Sequence, residues 1–173
     1  YHPYNAFNPL IEDERTLTGC TQTAVAQVMN YHQHPSRGNG VYAHTWNSKT
    51  LSAVMNRPFN WSILSDTPHT SSNTAEQEEI AALMFDLGVL NRANFGTGGT
   101  SAAFWRNDFR QAFGYAPIYS MDSGPSFTEF FDTIRSEIDN LRPVLLSIPN
   151  HMTVADGYAS DGAGRKIHVN IEV

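Results

Sequence analysis

Residues 18–32 decide the fold, and they read Thr18-Gly19-Cys20-Thr21-Gln22-Thr23-Ala24-Val25-Ala26-Gln27-Val28-Met29-Asn30-Tyr31-His32. This stretch contains the only cysteine of the chain. Its apolar residues recur at a spacing that gathers them on one face of an α-helix, and the next proline is Pro35. We therefore predict a helix that starts near Cys20, with Thr18 as its cap and Gly19 allowing a tight turn before it.

A cysteine in the first turn of a helix can act as a nucleophile. The unpaired backbone N–H groups and the positive end of the helix dipole favour the thiolate over the thiol. The same N–H groups can donate to an oxyanion. The alternative from position alone is that Cys20 is a small buried apolar residue, which is the usual role of a free cysteine.

Composition restricts the classes of protein to which the chain can belong. With 173 residues, 40% hydrophobic and 12% aromatic, it is long and apolar enough for one globular domain. Its net charge of −6 comes from scattered charges without a basic run, which argues against a nucleic acid or an anionic membrane as partner. No apolar run approaches the length of a membrane span. Because the chain begins with Tyr1 and not methionine, we expect a processed form or a fragment, truncated at both ends.

Periodicity and turn residues predict the remaining elements. A capping box at Thr74 and Gln77 starts a second helix that we expect Gly88 to end, and a third helix is expected over 104–113, closed by Gly114. A fourth amphipathic helix is expected over 127–141, with its inward stripe formed by Phe130, Phe131, Ile134, Ile138 and Leu141. Strands are predicted over 41–46, over 142–148 as a buried strand, and over 151–158 and 166–170, the last two joined by a hairpin turn at 160–164.

Two further patterns bear on ligand binding. His32, His34 and His44 include a His-x-His pair, but no cysteine or carboxylate completes a recognisable metal-ligand spacing. The glycine-rich residues 95–101 lack the lysine of a phosphate-binding loop. Nothing in the sequence therefore requires a metal or an organic cofactor.

The residues around Cys20 belong to a longer motif. The run Gly19-Cys20-x-x-Thr23-Ala24-x-Ala26-Gln27-x-Met29-x-Tyr31-His32-x-x-Pro35 resembles the active-site helix of the streptopain family of papain-like cysteine peptidases, which also includes interpain and periodontain. His151-Met152-Thr153-Val154-Ala155-Asp156-Gly157-Tyr158 is similar to the His-Ala-x-Val-x-Asp-Gly-Tyr of that family, and His168-Val169-Asn170 to its His-Val-Asn. Pro3-Tyr4-Asn5, Phe59-Asn60-Trp61 and residues 95–101 also resemble family segments.

The resemblance implies an α+β, papain-like fold that spans residues 1–173 as a single catalytic domain. In this fold a helical part carrying Cys20 packs on an antiparallel sheet carrying His151 and Asn170, with a cleft between them. It also implies the roles: Cys20 is the nucleophile, His151 the catalytic base and Asn170 the residue that orients His151. His151 follows Cys20 by 131 residues, comparable with the spacing in papain-type enzymes.

The resemblance further implies a cysteine endopeptidase that acts on protein or peptide substrates through an acyl-enzyme. Such an enzyme would be secreted from a bacterium and made as a zymogen, with a propeptide or an inhibitor as a further partner. Residues 95–101 are implied to lie near the substrate cleft.

Some residues depart from the family pattern and keep two alternatives open. The family's oxyanion-hole glutamine would fall immediately before Tyr1, a tryptophan is replaced by Ile171, and the link from Ile148 to His151 is short. One alternative is a degenerate domain that binds peptides without cleaving them. The other is a related cysteine-dependent amidase or acyl transferase.

Overall fold

The computed structural model describes residues 3–64, 74–121, 126–162 and 164–171. Four α-helices lie in this part of the chain: α1 (Cys20–His32), α2 (Thr74–Leu90), α3 (Arg106–Phe113) and α4 (Phe127–Asp139). The strands are β1 (Leu10–Ile11), β2 (Glu14–Arg15), β3 (Val41–Trp46), β4 (Lys49–Val54), β5 (Val144–Ile148), β6 (His151–Asp161) and β7 (Gly164–Asn170). The four strand pairs among the described residues are antiparallel, so the chain has the predicted α+β class.

The chain divides into two compact units, residues 1–117 and 118–173. In the first unit, α1 and α2 pack together around fully buried side chains that include Val25, Met29, Leu87 and Leu90. The β3–β4 hairpin packs on α2 through Trp46, whose indole donates to the Phe95 carbonyl at 3.1 Å. Burial of these apolar surfaces drives the folding of this unit.

The second unit consists of α4 and the sheet β5-β6-β7. Phe131 and Ile134 of α4 are buried, and the Phe131 ring meets the Tyr158 ring edge-on at 5.9 Å. Ser126 caps α4, since its side chain accepts from the Glu129 backbone N–H while the Glu129 carboxylate accepts from the Ser126 N–H. The two-sided cap explains why α4 begins at Phe127, as the sequence indicates.

Several predictions about single residues were wrong. The N-cap of α1 is Gly19 and not Thr18. Gly88 does not end α2, which continues to Leu90; a Cβ atom at Gly88 would lie 2.5 Å from the Phe95 ring, so this glycine allows a close packing contact. Leu141 is exposed and lies beyond the end of α4, with a positive φ of 58°.

Other boundaries differ for reasons of tertiary structure. The strand expected over 142–148 begins at Val144 and is half-buried rather than buried. The helix expected from Phe104 begins at Arg106. The hairpins β1–β2 and β3–β4 were not predicted as pairs; they turn at residues with positive φ, namely Glu12, Asp13, Asn47 and Ser48. The residues preceding α2 lie outside the described part of the chain.

Candidate active site

Cys20 is the first residue of α1, as predicted. Its side chain is half-buried and forms no disulfide. Gly19 has a φ of 92°, a backbone conformation that glycine adopts at little cost. Because glycine has no side chain, the N-cap position makes no side-chain hydrogen bond to the first turn. No acidic residue lies in this turn. The helix dipole and the first N–H groups therefore act on the thiol with no opposing carboxylate in the turn.

The glycine-rich loop of residues 95–102 contacts the chain on both sides of Cys20. The Leu17 N–H donates to the Gly96 carbonyl at 3.0 Å, and the Thr100 hydroxyl donates to the Leu17 carbonyl at 2.7 Å. After Cys20, the Thr21 hydroxyl donates to the Ala102 carbonyl at 3.0 Å. A Cβ atom at Gly19 would lie 2.8 Å from the Thr100 carbonyl oxygen. The loop thus holds the start of α1 from two directions.

The segment before Cys20 is anchored by buried amides. Asn5 and Asn8, both buried, donate from their side chains to the Thr16 carbonyl at 3.0 and 3.2 Å. The Thr16 hydroxyl in turn donates to the Pro9 carbonyl at 2.8 Å. These bonds connect the Pro-Tyr-Asn segment to the residues that lead into α1, a role that the motif alone did not indicate.

His151 opens β6 directly after a two-residue turn. Ile148 of β5 pairs with His151, so Pro149 and Asn150 form the whole link. Proline presets its own φ, and Asn150 takes the left-handed conformation with φ of 60°, which asparagine tolerates better than most residues. The short link noted in the sequence is therefore a tight hairpin that holds the half-buried His151 at one end of the sheet.

Asn170, the last residue of β7, lies at the same end of the sheet as His151. It pairs with Val154, three residues along β6 from His151, which corresponds to about 10 Å of strand. The Thr153 hydroxyl donates to the Asn170 backbone carbonyl. Within the described residues, no hydrogen bond joins the His151 and Asn170 side chains. The structure thus brings these two residues to one sheet end, whereas Cys20 belongs to the first compact unit.

The histidines considered for metal binding have other surroundings. The His44 ring is hydrogen-bonded to the Ala93 carbonyl at 2.9 Å, and the His34 ring contacts the Tyr115 ring edge-on. Partial burial of its ring lowers the pKa of the otherwise exposed His32, and nearby His34 lowers it further. Across the described parts of the chain, no group of three or more His, Cys, Asp or Glu side chains is arranged to hold a metal ion.

The aromatic pair of the Phe59-Asn60-Trp61 segment belongs to the core. Both rings are buried and stacked at 5.3 Å, and the Trp61 indole donates to the Pro35 carbonyl at 2.7 Å. These two aromatic residues therefore anchor the core. Sequence reasoning missed Thr153, Asp156 and His168 as contributors to the sheet end; only burial and pairing reveal them.

A helix that starts at a lone cysteine, together with an antiparallel sheet that carries a histidine and an asparagine at one end, is the arrangement expected of a papain-like cysteine peptidase. The model of the Peptidase C10 family matches residues 1–172, so the chain belongs to that family. No helix within the described residues is long and apolar enough to cross a bilayer.

Three matches illustrate the likeness. Streptopain from Streptococcus pyogenes serotype M1 is 26% identical over 196 residues, which cover 98% of this chain and 48% of streptopain. The structure of active wild-type interpain A cysteine protease from Prevotella intermedia matches with a TM-score of 0.84 and 27% identity, over 98% of this chain and 76% of that one. A prointerpain A fragment from the same organism matches with a TM-score of 0.81 and 26% identity, over 91% of this chain and 55% of the fragment. The chain spans about half the length of the curated streptopain relatives that it matches.

Proposed function

We propose that this chain is a catalytic domain of a cysteine endopeptidase in which Cys20 is the nucleophile, His151 the general base and Asn170 the residue that orients His151. One observation carries the proposal: the only cysteine of a Peptidase C10 family member is the first residue of a helix whose first turn has no acidic residue and no side-chain cap. This position stabilises a thiolate.

The reaction follows from the chemistry of these groups. His151 takes the Cys20 proton, and the thiolate attacks the carbonyl carbon of a peptide bond. The negative oxygen of the tetrahedral intermediate accepts hydrogen bonds from backbone N–H groups at the start of α1. Collapse of the intermediate breaks the C–N bond, and His151 gives its proton to the leaving amine. Water, deprotonated by His151, then attacks the thioester and releases the acid, which restores Cys20.

The biological setting is also proposed from the family. The substrates would be proteins or peptides, and the active form would be a secreted bacterial enzyme released from a zymogen. A matched structure is described as prointerpain A, which supports a propeptide as a partner of this chain. We propose that residues 1–173 form a single catalytic domain, built from the two compact units.

The test is labelling of Cys20 with a thiol-directed peptidyl epoxide between pH 4 and 9, read by intact mass. We expect one adduct per chain, formed well below the pH at which an ordinary thiol reacts, and we expect this reactivity to be lost in His151→Ala and kept in the control His32→Ala. His32 lies exposed in the last turn of α1, away from Cys20.

Cleavage of a fluorogenic peptide separates a peptidase from a domain that only binds peptides. The peptidase should turn the peptide over, and Cys20→Ala should not. Labelling that occurs only above about pH 8 and does not depend on His151 would refute the proposed pair and favour the degenerate alternative. Products formed with an added amine as acceptor would instead indicate an acyl transferase.

A further inference from the structure

The end of β7, where Asn170 lies, is held by a side chain from β6. Thr153 is almost completely buried, at 1% exposure, and its hydroxyl donates to the Asn170 backbone carbonyl. A buried hydroxyl without a hydrogen-bond partner would raise the free energy of the folded state. The bond to Asn170 offsets this cost and allows a threonine at a buried position. Asn170 itself is exposed and is the last residue of the strand.

The faces of β6 show why this bond concerns His151. Side chains alternate along a strand, so His151 and Thr153 share one face of the sheet. Asn170 pairs with Val154, whose side chain points to the other face. The Thr153 bond therefore links the backbone of the terminal residue of β7 to a side chain on the face that carries His151.

A β-bulge sets the register of the same strand pair. Ala155 pairs with Val169 and Gly157 with His168, which leaves Asp156 as the extra residue. Asp156 Oδ1 and His168 Nδ1 lie 2.5 Å apart, so the side chain of the extra residue is hydrogen-bonded to the neighbouring strand β7. A Cβ atom at Gly157 would lie 3.2 Å from the His168 Cβ, which shows how closely the strands approach here. Without the bulge, β7 would slip by one residue and Asn170 would change its partner on β6.

We propose that Thr153 is a positioning residue for the reaction: its hydroxyl holds the end of β7 so that the Asn170 amide can orient His151, and the Asp156–His168 pair keeps the register that makes this contact possible. The inference rests on the proposed function of Cys20, His151 and Asn170. It adds three residues that do not touch the substrate but act through Asn170.

The experiment compares Thr153→Val, which keeps the side-chain shape without the hydroxyl, with Thr153→Ser, which keeps the hydroxyl. Each is measured alone and combined with Asn170→Ala. The readout is the second-order rate constant of Cys20 alkylation by the peptidyl epoxide as a function of pH, with the thermal midpoint measured in parallel. We expect Thr153→Val to lower the rate constant about tenfold and to move the acid limb of its pH profile to higher pH. Thr153→Ser should keep most of the wild-type rate constant.

The combination with Asn170→Ala makes the test specific. If Thr153 acts through the Asn170 amide, Thr153→Val costs nothing further once that amide is gone. An equal loss in both backgrounds, or no loss in either, would overturn the proposal, because a merely structural role does not depend on the Asn170 side chain. If Thr153→Val does not fold, Asp156→Asn replaces it. This variant weakens the Asp156–His168 pair that keeps the strand register, and it is measured alone and combined with Asn170→Ala in the same way.

Failure of the proposed function has a different signature. In that case the wild-type protein itself shows no His151-dependent alkylation, and the positioning proposal falls with it. His151-dependent alkylation in the wild type, combined with additive losses in the double variant, would leave the function in place and reject only the role of Thr153.

Discussion

At the residue scale, Gly19 determines how Cys20 is presented. Its φ of 92° lies in a region that L side chains rarely adopt, and its missing side chain lets the Thr100 carbonyl approach. The hydroxyl of Thr100 also donates to the carbonyl of Leu17, which lies two residues before Gly19. The backbone before the proposed nucleophile is therefore shaped by one glycine and one loop.

We predict that Gly19→Ala destabilises the protein by roughly 1–3 kcal/mol and slows alkylation of Cys20, because the new methyl group meets the Thr100 carbonyl in a strained backbone conformation. Urea unfolding and the epoxide rate measure the two effects. The matched control is Gly98→Ala in the same loop, where a Cβ atom has no neighbour within 4 Å and φ is not positive. Equal effects of the two substitutions would show that Gly19 has no special role.

At the scale of elements, a buried carboxylate joins the segment after β4 to α2. Arg57 donates from Nε and Nη2 to the Asp86 carboxylate at 3.1 and 2.9 Å, and from Nη1 to Glu79 at 3.0 Å. Asp86 is 6% exposed. Burial raises the pKa of Asp86 to about 6; Arg57 opposes the rise and Glu79 adds to it.

This raised pKa has a consequence for stability. Between about pH 4 and 6 the folded protein keeps a proton that the unfolded chain has released, so the contribution of Asp86 to stability is fully present at low pH and is lost as the pH rises through 6. Asp86→Asn cannot titrate. We predict that the unfolding free energy of the wild type, relative to Asp86→Asn, falls by roughly 2–3 kcal/mol from pH 4 to 6.5.

Urea unfolding of both proteins at several pH values measures this difference. Asp108→Asn serves as a control, because its carboxylate forms a more exposed pair with Arg92. If the unfolding free energy of the wild type relative to Asp86→Asn rises with pH, the prediction is contradicted. The ion pair with Arg57 would then outweigh the cost of burying the Asp86 charge.

At the scale of the whole molecule, the two compact units contain different parts of the proposed chemistry. Residues 1–117 include Cys20 and the glycine-rich loop of residues 95–102, and residues 118–173 include His151 and Asn170. Local signals were sufficient to predict α1, α3, α4 and the β6–β7 pair within a few residues. The strand β3 was predicted with its observed bounds, but its partner β4, the β1–β2 hairpin and the true end of α2 were missed.

A single cysteine also has a consequence at this scale. Because the 173-residue chain cannot form an internal disulfide, we predict that its midpoint of urea unfolding is the same with and without reductant. The measurement uses freshly reduced monomer, with Cys20→Ala as the control that removes intermolecular oxidation. A midpoint that shifts with reductant in Cys20→Ala would contradict the prediction.

The motifs around Cys20, His151 and Asn170 by themselves pointed to the family and its α+β fold, which the family match over residues 1–172 confirms. Apolar periodicity placed Cys20 at the start of a helix, because it acts over a few neighbouring residues. The roles of Cys20, His151 and Asn170 stay predictions. Only the tertiary structure decided that Gly88 lies inside α2 against Phe95, that Asp156 forms a bulge bonded to His168, and that Thr153 holds the Asn170 carbonyl. Each depends on strand register or on packing between residues that are not neighbours in the sequence, and no local pattern specifies either.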